Sequence, residues 1–150
     1  MKLLLLFTAL SLSGVSTFAQ RRPPVKAKAP AKRTAAGLPA AALLPGKAVY
    51  TQNCLSCHQV DGLGVDGMNP PLSKTSYVLG DKPRLVGVLL NGLQGQDIDG
   101  ERYNGVMAAQ ATLTDQQIAD VLTYVRNSFG NKASAVKAAE VKAIRAANPK

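Results

Sequence analysis

An all-α domain is what this 150-residue sequence predicts, and three observations carry the prediction. Apolar residues recur at helical spacing in more than one segment, as they do on a helix with one buried face. Glycine or Asn-Gly closes those segments, as helix C-termini favour. No run alternates convincingly between apolar and polar residues, which a half-buried strand would require.

Residues 1–19 read as a secretory signal. Lys2 gives a short positive start, Leu3 to Leu12 an apolar stretch, and Thr17-Phe18-Ala19 a small last residue, so cleavage is expected after Ala19. The apolar run falls short of the ~20 residues of a membrane span, and no later segment qualifies. A soluble, periplasmic product is expected. Residues 20–37 form a basic Pro/Ala-rich segment with Val25 as its only large aliphatic. Such a segment buries too little surface to fold and reads as a disordered linker.

The folded domain is expected from Leu38 to Gly130, and its first helix includes Leu44-Pro45-Gly46-Lys47-Ala48-Val49-Tyr50. Proline suits a first helical turn, and Gly46 and Tyr50, four apart, share a face. A shorter helix runs from Arg84 to Leu90 and is closed by Asn91-Gly92. Thr114 is placed to N-cap a final helix from Asp115 to Phe129. Its Ile118, Val121, Leu122, Val125 and Phe129 follow the 3.6-residue period, and Gly130 ends it. Residues 131–150 read as an Ala/Lys-rich tail, helical after Ser134, with a weak stripe of Val136, Val141 and Ile144.

The charge sits mainly outside the expected domain. The chain carries +9, of which Lys2, six bases in residues 20–37 and a net +4 in residues 131–150 account for more than all. Residues 38–130 therefore hold −2. A nucleic-acid partner is not expected from that distribution. The basic ends suit a weak contact with an anionic membrane surface or an acidic partner, and their composition favours a solvated spacer over either.

Chemistry concentrates in Cys54-Leu55-Ser56-Cys57-His58, which holds both cysteines and the only histidine. A C-x-x-C-H pentad reads as a site of covalent haem attachment. On one helical turn both thiols reach the same flat ligand. Each adds to a vinyl group of the porphyrin, and His58 offers its imidazole to the iron as proximal ligand. Three other readings remain beside it. Zinc needs three or four ligands, and no second cluster is present. A thiol-disulfide oxidoreductase would set its pair in a βαβ context. A small structural disulfide is the plain alternative.

With no second histidine, the iron's other axial ligand must be something else. Met68 and Met107 are the methionines left after the signal. Met68 follows His58 by ten residues in a Gly- and Pro-rich loop, too soon to reach the far side of the ring readily. Met107 lies 49 residues on, in Tyr103-Asn104-Gly105-Val106-Met107-Ala108-Ala109, where small residues allow close approach. Met107 is expected as distal ligand. His/Met ligation raises the reduction potential and leaves no open position for oxygen or another gas.

Residues 44–131 resemble the class I monohaem cytochromes c of bacteria. The resemblance implies three to five helices wrapped around one covalently bound haem c and its iron, the first and last crossing at right angles. Gly46 and Tyr50 match the small and aromatic positions of the first helix, and Leu122 and Tyr124 those that pack on them. Pro70, in Asn69-Pro70-Pro71-Leu72, matches the proline whose carbonyl accepts a hydrogen bond from the proximal histidine. Met107 matches the axial methionine, although Ala108 follows it where relatives often carry proline. The chain also lacks tryptophan, which some relatives place near a haem propionate; Lys74, Tyr77, Arg84, Arg102 and Tyr103 are the donors it offers instead.

The expected function is single-electron transfer between a redox donor and an acceptor, without catalysis by the chain itself. Val106, Ala108, Ala109 and Ala111 are the candidate docking patch. The resemblance equally admits an electron-transfer subunit docked on a dehydrogenase, reductase or terminal oxidase.

Overall fold

A computed structural model describes residues 38–148, which fall within one compact unit. The expected signal (1–19) and basic linker (20–37) lie outside the described residues. Six helices are present among those described: α1 (Ala40–Asn53), α2 (Leu55–His58), α3 (Ser76–Leu79), α4 (Lys82–Asn91), α5 (Asp115–Val125) and α6 (Ala138–Ala146). Four two-residue strands lie between α4 and α5: β1 (Leu93–Gln94), β2 (Asp97–Ile98), β3 (Glu101–Arg102) and β4 (Val106–Met107). They pair antiparallel as β1 with β4 and β2 with β3. Two residues are too few to produce a readable alternation, so the sequence hides them. The helix count exceeds the expected three to five because α2 and α3 are single turns and α6 comes from the tail.

Helix α1 starts four residues before Leu44, so Pro45 lies inside it rather than in its first turn. Both Pro45 and Ala41, whose carbonyl loses its partner to the missing N–H, are exposed. Water can serve that carbonyl, which limits the usual penalty of an internal proline. Helix α4 is capped by Asp81, whose carboxylate accepts from the Arg84 N–H at 3.0 Å. Helix α5 opens on a full capping box between Thr114 and Gln117, which satisfies two otherwise orphaned N–H groups.

The most extensive helix contact is that of α1 with α5. Gly46 is buried there, and a Cβ on it would stand 2.6 Å from Tyr124 Cβ and against the Asp120 carbonyl. One turn on, the Tyr50 ring packs on Tyr124 and Phe129, with centroids 5.4 and 5.3 Å away. Tyr124 thus takes the expected place. Leu122 instead lines the cavity described below.

Two boundaries differ from the sequence reading. Helix α5 ends at Val125, so Phe129 belongs to the following turn, with φ of +56°. There the buried Arg126 guanidinium donates to the carbonyls of Val78 (2.6 Å), Gly80 (3.3 Å) and Ser134 (2.9 Å). The domain does not stop at Gly130 either. Asn131, Val136 and Val141 are buried, and α6 packs on α4 and α5. The weak stripe of Val136, Val141 and Ile144 is apolar because it joins the core.

Gly46→Ala is expected to lower stability by about 1–3 kcal/mol, the usual cost of overpacking. Denaturant unfolding of the haem-loaded protein measures it. An unchanged midpoint would mean that α1 and α5 are less tightly opposed than described.

Candidate haem site

The pentad follows directly from the end of α1. Cys54 closes that helix, its N–H bonding Tyr50 O at 2.8 Å. The chain then makes one more turn, with the N–H groups of Cys57 and His58 both donating to Cys54 O at 3.2 and 3.0 Å. Gln59 ends the turn with φ of +64°, and its carbonyl accepts from the buried Tyr50 hydroxyl at 2.6 Å. The start and end of the pentad are thus both tied to Tyr50.

Cys57 is exposed and Cys54 half-buried. Burial, with Cys57 nearby, pushes the Cys54 thiol up to about 11. His58 is buried, and its Nδ1 lies 3.1 Å from Pro70 O. A carbonyl only accepts, so Nδ1 carries the proton in this bond. Burial holds the imidazole below its ordinary pKa, with the Pro70 carbonyl opposing weakly. The ring is therefore neutral near pH 7, and the lone pair falls to Nε2, the form a metal needs.

The loop from Gly62 to Leu72 delivers that carbonyl. It is folded by bonds from Gly64 N to His58 O (3.1 Å), Val65 N to Asn69 O (2.9 Å) and Leu72 N to Gly62 O (2.7 Å). Gly64 has φ of +70°, and a Cβ there would stand 2.8 Å from Pro70 O. Met68 is exposed on this loop. Its carbonyl accepts from Gly105 N at 2.8 Å, which brings the loop against the strand of Met107.

Cys54, Cys57, His58, Pro70 and Met107 all line one cavity of about 230 Å³. Met68 is not among its lining residues. Met107 pairs with Leu93 across β1 and β4, and it packs partly buried against the core. Most of the remaining wall is apolar, including Val78, Leu85, Leu89, Val121, Leu122 and Val125. Tyr77 and Tyr103 reach the cavity, whereas Lys74, Arg84 and Arg102 do not line it. Arg84 instead stacks over Tyr77 at 4.2 Å and donates to Ser76 O, and Arg102 faces Asp97 at 3.6 Å in solvent. Gln94 and Gln96 are further polar lining residues that spacing alone did not reveal.

These groups fit a haem. The pocket is apolar, with two thiols on one helical turn, an oriented neutral imidazole and a thioether in its wall. Among the described residues no three His, Cys, Asp or Glu side chains converge to hold a metal ion, so the zinc reading lacks ligands. The four short strands pair antiparallel, which gives the C-x-x-C pair no βαβ frame.

Fold and site together define a small helical haem domain for electron transfer. Comparison with known proteins gives the family. Residues 43–129 match the family model described as Cytochrome c. The chain is 42% identical to cytochrome c-552 of Thermus thermophilus over 112 residues, covering 67% of this chain and 84% of that one. It is 37% identical to the cytochrome c subunit of a quinone alcohol dehydrogenase from Gluconacetobacter polyoxogenes over 107 residues. The fructose dehydrogenase cytochrome subunit of Gluconobacter japonicus is 36% identical over 110 residues. These alignments span 69% and 67% of this chain but 23% and 22% of the two subunits. The chain belongs to the cytochrome c family, as a class I monohaem c-type cytochrome. It binds covalently attached haem c with its iron and carries electrons, and is not itself a catalyst.

Tyr50→Phe should cost about 1 kcal/mol of stability, one hydrogen bond's worth, and leave the visible haem spectrum unchanged. Chemical unfolding followed in the visible range measures both. No loss of stability would show that the hydroxyl does not hold the pentad.

Proposed function

We propose that this chain is an exported carrier that exchanges single electrons through a His/Met-ligated haem. In this reading Cys54 and Cys57 form the two thioethers, His58 is the proximal ligand and Met107 the distal one. The observation that carries the proposal is the meeting of these four side chains in one apolar cavity. Pro70 supports it from outside the iron's own ligands, because its carbonyl orients the His58 ring and raises its basicity.

The bound haem supplies a one-electron couple. The chain's residues set the terms on which it operates. Two covalent bonds at Cys54 and Cys57 fix the ring's position without relying on iron affinity. The neutral His58 and the thioether of Met107 would hold the iron, and a thioether would favour its reduced form and so raise the potential. The surrounding Val and Leu side chains exclude water and lower the local dielectric. Val106 lines the cavity and is 64% exposed, which suits it to the rim where a redox partner docks.

Export to the periplasm rests on residues 1–19 as a signal, with residues 20–37 as a basic spacer that weakly favours anionic surfaces or an acidic partner. Among the described residues no helix is long and apolar enough to cross a membrane. A second reading, an electron-transfer subunit docked on a dehydrogenase, is favoured by the relatives named as dehydrogenase cytochrome subunits. Size-exclusion chromatography of the native protein separates the two: a monomeric haem protein supports the free carrier, and a stable co-eluting oxidoreductase supports the subunit.

Met107→Ala should abolish the weak sulfur-to-iron band of the oxidised spectrum, and Met68→Ala should preserve it. The reverse pattern would move the distal ligand to Met68. The protein recovered from the periplasm should begin at Gln20. N-terminal sequencing that finds Met1, or recovery with the cytosol, would overturn the export reading.

A further inference from the structure

Between Met107 and the start of α5 at Asp115 the chain forms no helix or strand. Ala108, Ala109 and Ala111 carry no group that can anchor a loop, and Ala108 leaves φ free where a proline would fix it. Among the described residues, one main-chain bond ties this stretch to α4, from Gln110 N to Leu89 O at 2.7 Å. Leu113 also donates to Gln110 O at 3.1 Å and packs on the core, and Thr114 caps α5; a further restraint comes from the far end of the sequence. Arg145 on α6 donates from Nη1 to Ala111 O at 2.9 Å and from Nη2 to Leu113 O at 2.7 Å. Its Nε donates to Asp115 Oδ1 at 2.7 Å. One planar guanidinium therefore gathers residues 111, 113 and 115, and its rigid fork sets the spacing of all three.

The fork is itself firmly seated. Its ion pair with Asp115 is about two-thirds buried, which favours charge-assisted bonds over hydration. Helix α6 is held by the fully buried Val141 and by Lys82, which donates to Ala135 O at 2.6 Å and pairs with Glu140 at 3.1 Å.

We propose that Arg145 is a positioning residue for the Met107 segment: by fixing the carbonyls of Ala111 and Leu113 it keeps the methionine from swinging away from the iron. The inference rests on Met107 as distal ligand. It makes α6 a part of the haem site although α6 contributes no side chain to the cavity wall. Without the fork, the fold keeps its core, but the segment gains freedom and an added base displaces the thioether more easily.

Imidazole titration of the oxidised haem-loaded protein tests this, read by loss of the sulfur-to-iron band. Arg145→Ala should lower the half-saturating imidazole concentration by at least about tenfold, the factor corresponding to one charge-assisted hydrogen bond. Arg145→Lys keeps the charge but not the fork, and should shift it in the same direction by a smaller factor. Lys82→Ala loosens α6 but leaves all three bonds of the fork in place, and should shift the concentration by a clearly smaller factor than Arg145→Ala. An unchanged value in both Arg145 variants would overturn the proposal, as would an equal shift in Lys82→Ala. Persistence of the band in Met107→Ala would instead overturn the ligand assignment, and this inference with it.

Discussion

The close approach of α1 and α5 at Gly46 is the constraint on which the haem site depends. Only a residue without a side chain lets the α1 backbone lie against Asp120 and Tyr124. That approach brings Tyr50 into a cluster with Tyr124 and Phe129, whose area and ring geometry stabilise the pair of helices. The Tyr50 hydroxyl then reaches Gln59, and the turn from Cys54 to His58 is held between two contacts of one residue. Apolar packing thus sets the position of the thiols and the imidazole.

The rest of the site is built differently. The loop that brings Pro70 to His58 and the segment that carries Met107 have little helix, and they are fixed by main-chain hydrogen bonds to each other and to their surroundings. Residues beyond Gly130 secure both. Buried Asn131 donates to Leu72 O and Val125 O at 2.8 Å each and accepts from Lys74 N at 2.7 Å, which pins the chain just past Pro70. Arg145 restrains the chain just past Met107. Among the described residues no lysine or arginine lines the cavity, and its polar lining includes the neutral Tyr77, Tyr103 and Gln94. Along the sequence, residues 38–130 hold −2 and the basic excess falls in residues 20–37 and 131–150, the second of which packs onto the domain.

Much of this was legible where the signal is local. The pentad, the Gly46–Tyr50 face and the Thr114 cap each depend on residues within one or two helical turns. The preference for Met107 over Met68 was argued from chain length and the small residues around Met107, and of the two Met107 lines the cavity. What could not be read depends on contacts across long sequence separations. Arg145 looks like an ordinary tail cation until Ala111 and Leu113 are placed beside it, more than thirty residues away in sequence. The helical period continues to Phe129 in the sequence, but after Val125 the bonds tighten to Asn127 N–Tyr124 O and Ser128 N–Val125 O before Phe129 takes a positive φ, which ends α5. The apolar stripe of the tail was visible, but one face of a helix does not name its partner. The short β pairs leave no periodicity to find.

The central claim is that His58 and Met107 are the two axial ligands of one haem. Proton NMR of the reduced protein, with its methionine methyl groups assigned, tests it most directly. A methyl bound above the porphyrin ring is moved far upfield by the ring current. The account predicts one such methyl, belonging to Met107, with Met68 in the ordinary methionine range. A spectrum in which the Met107 methyl stays in that range would contradict it.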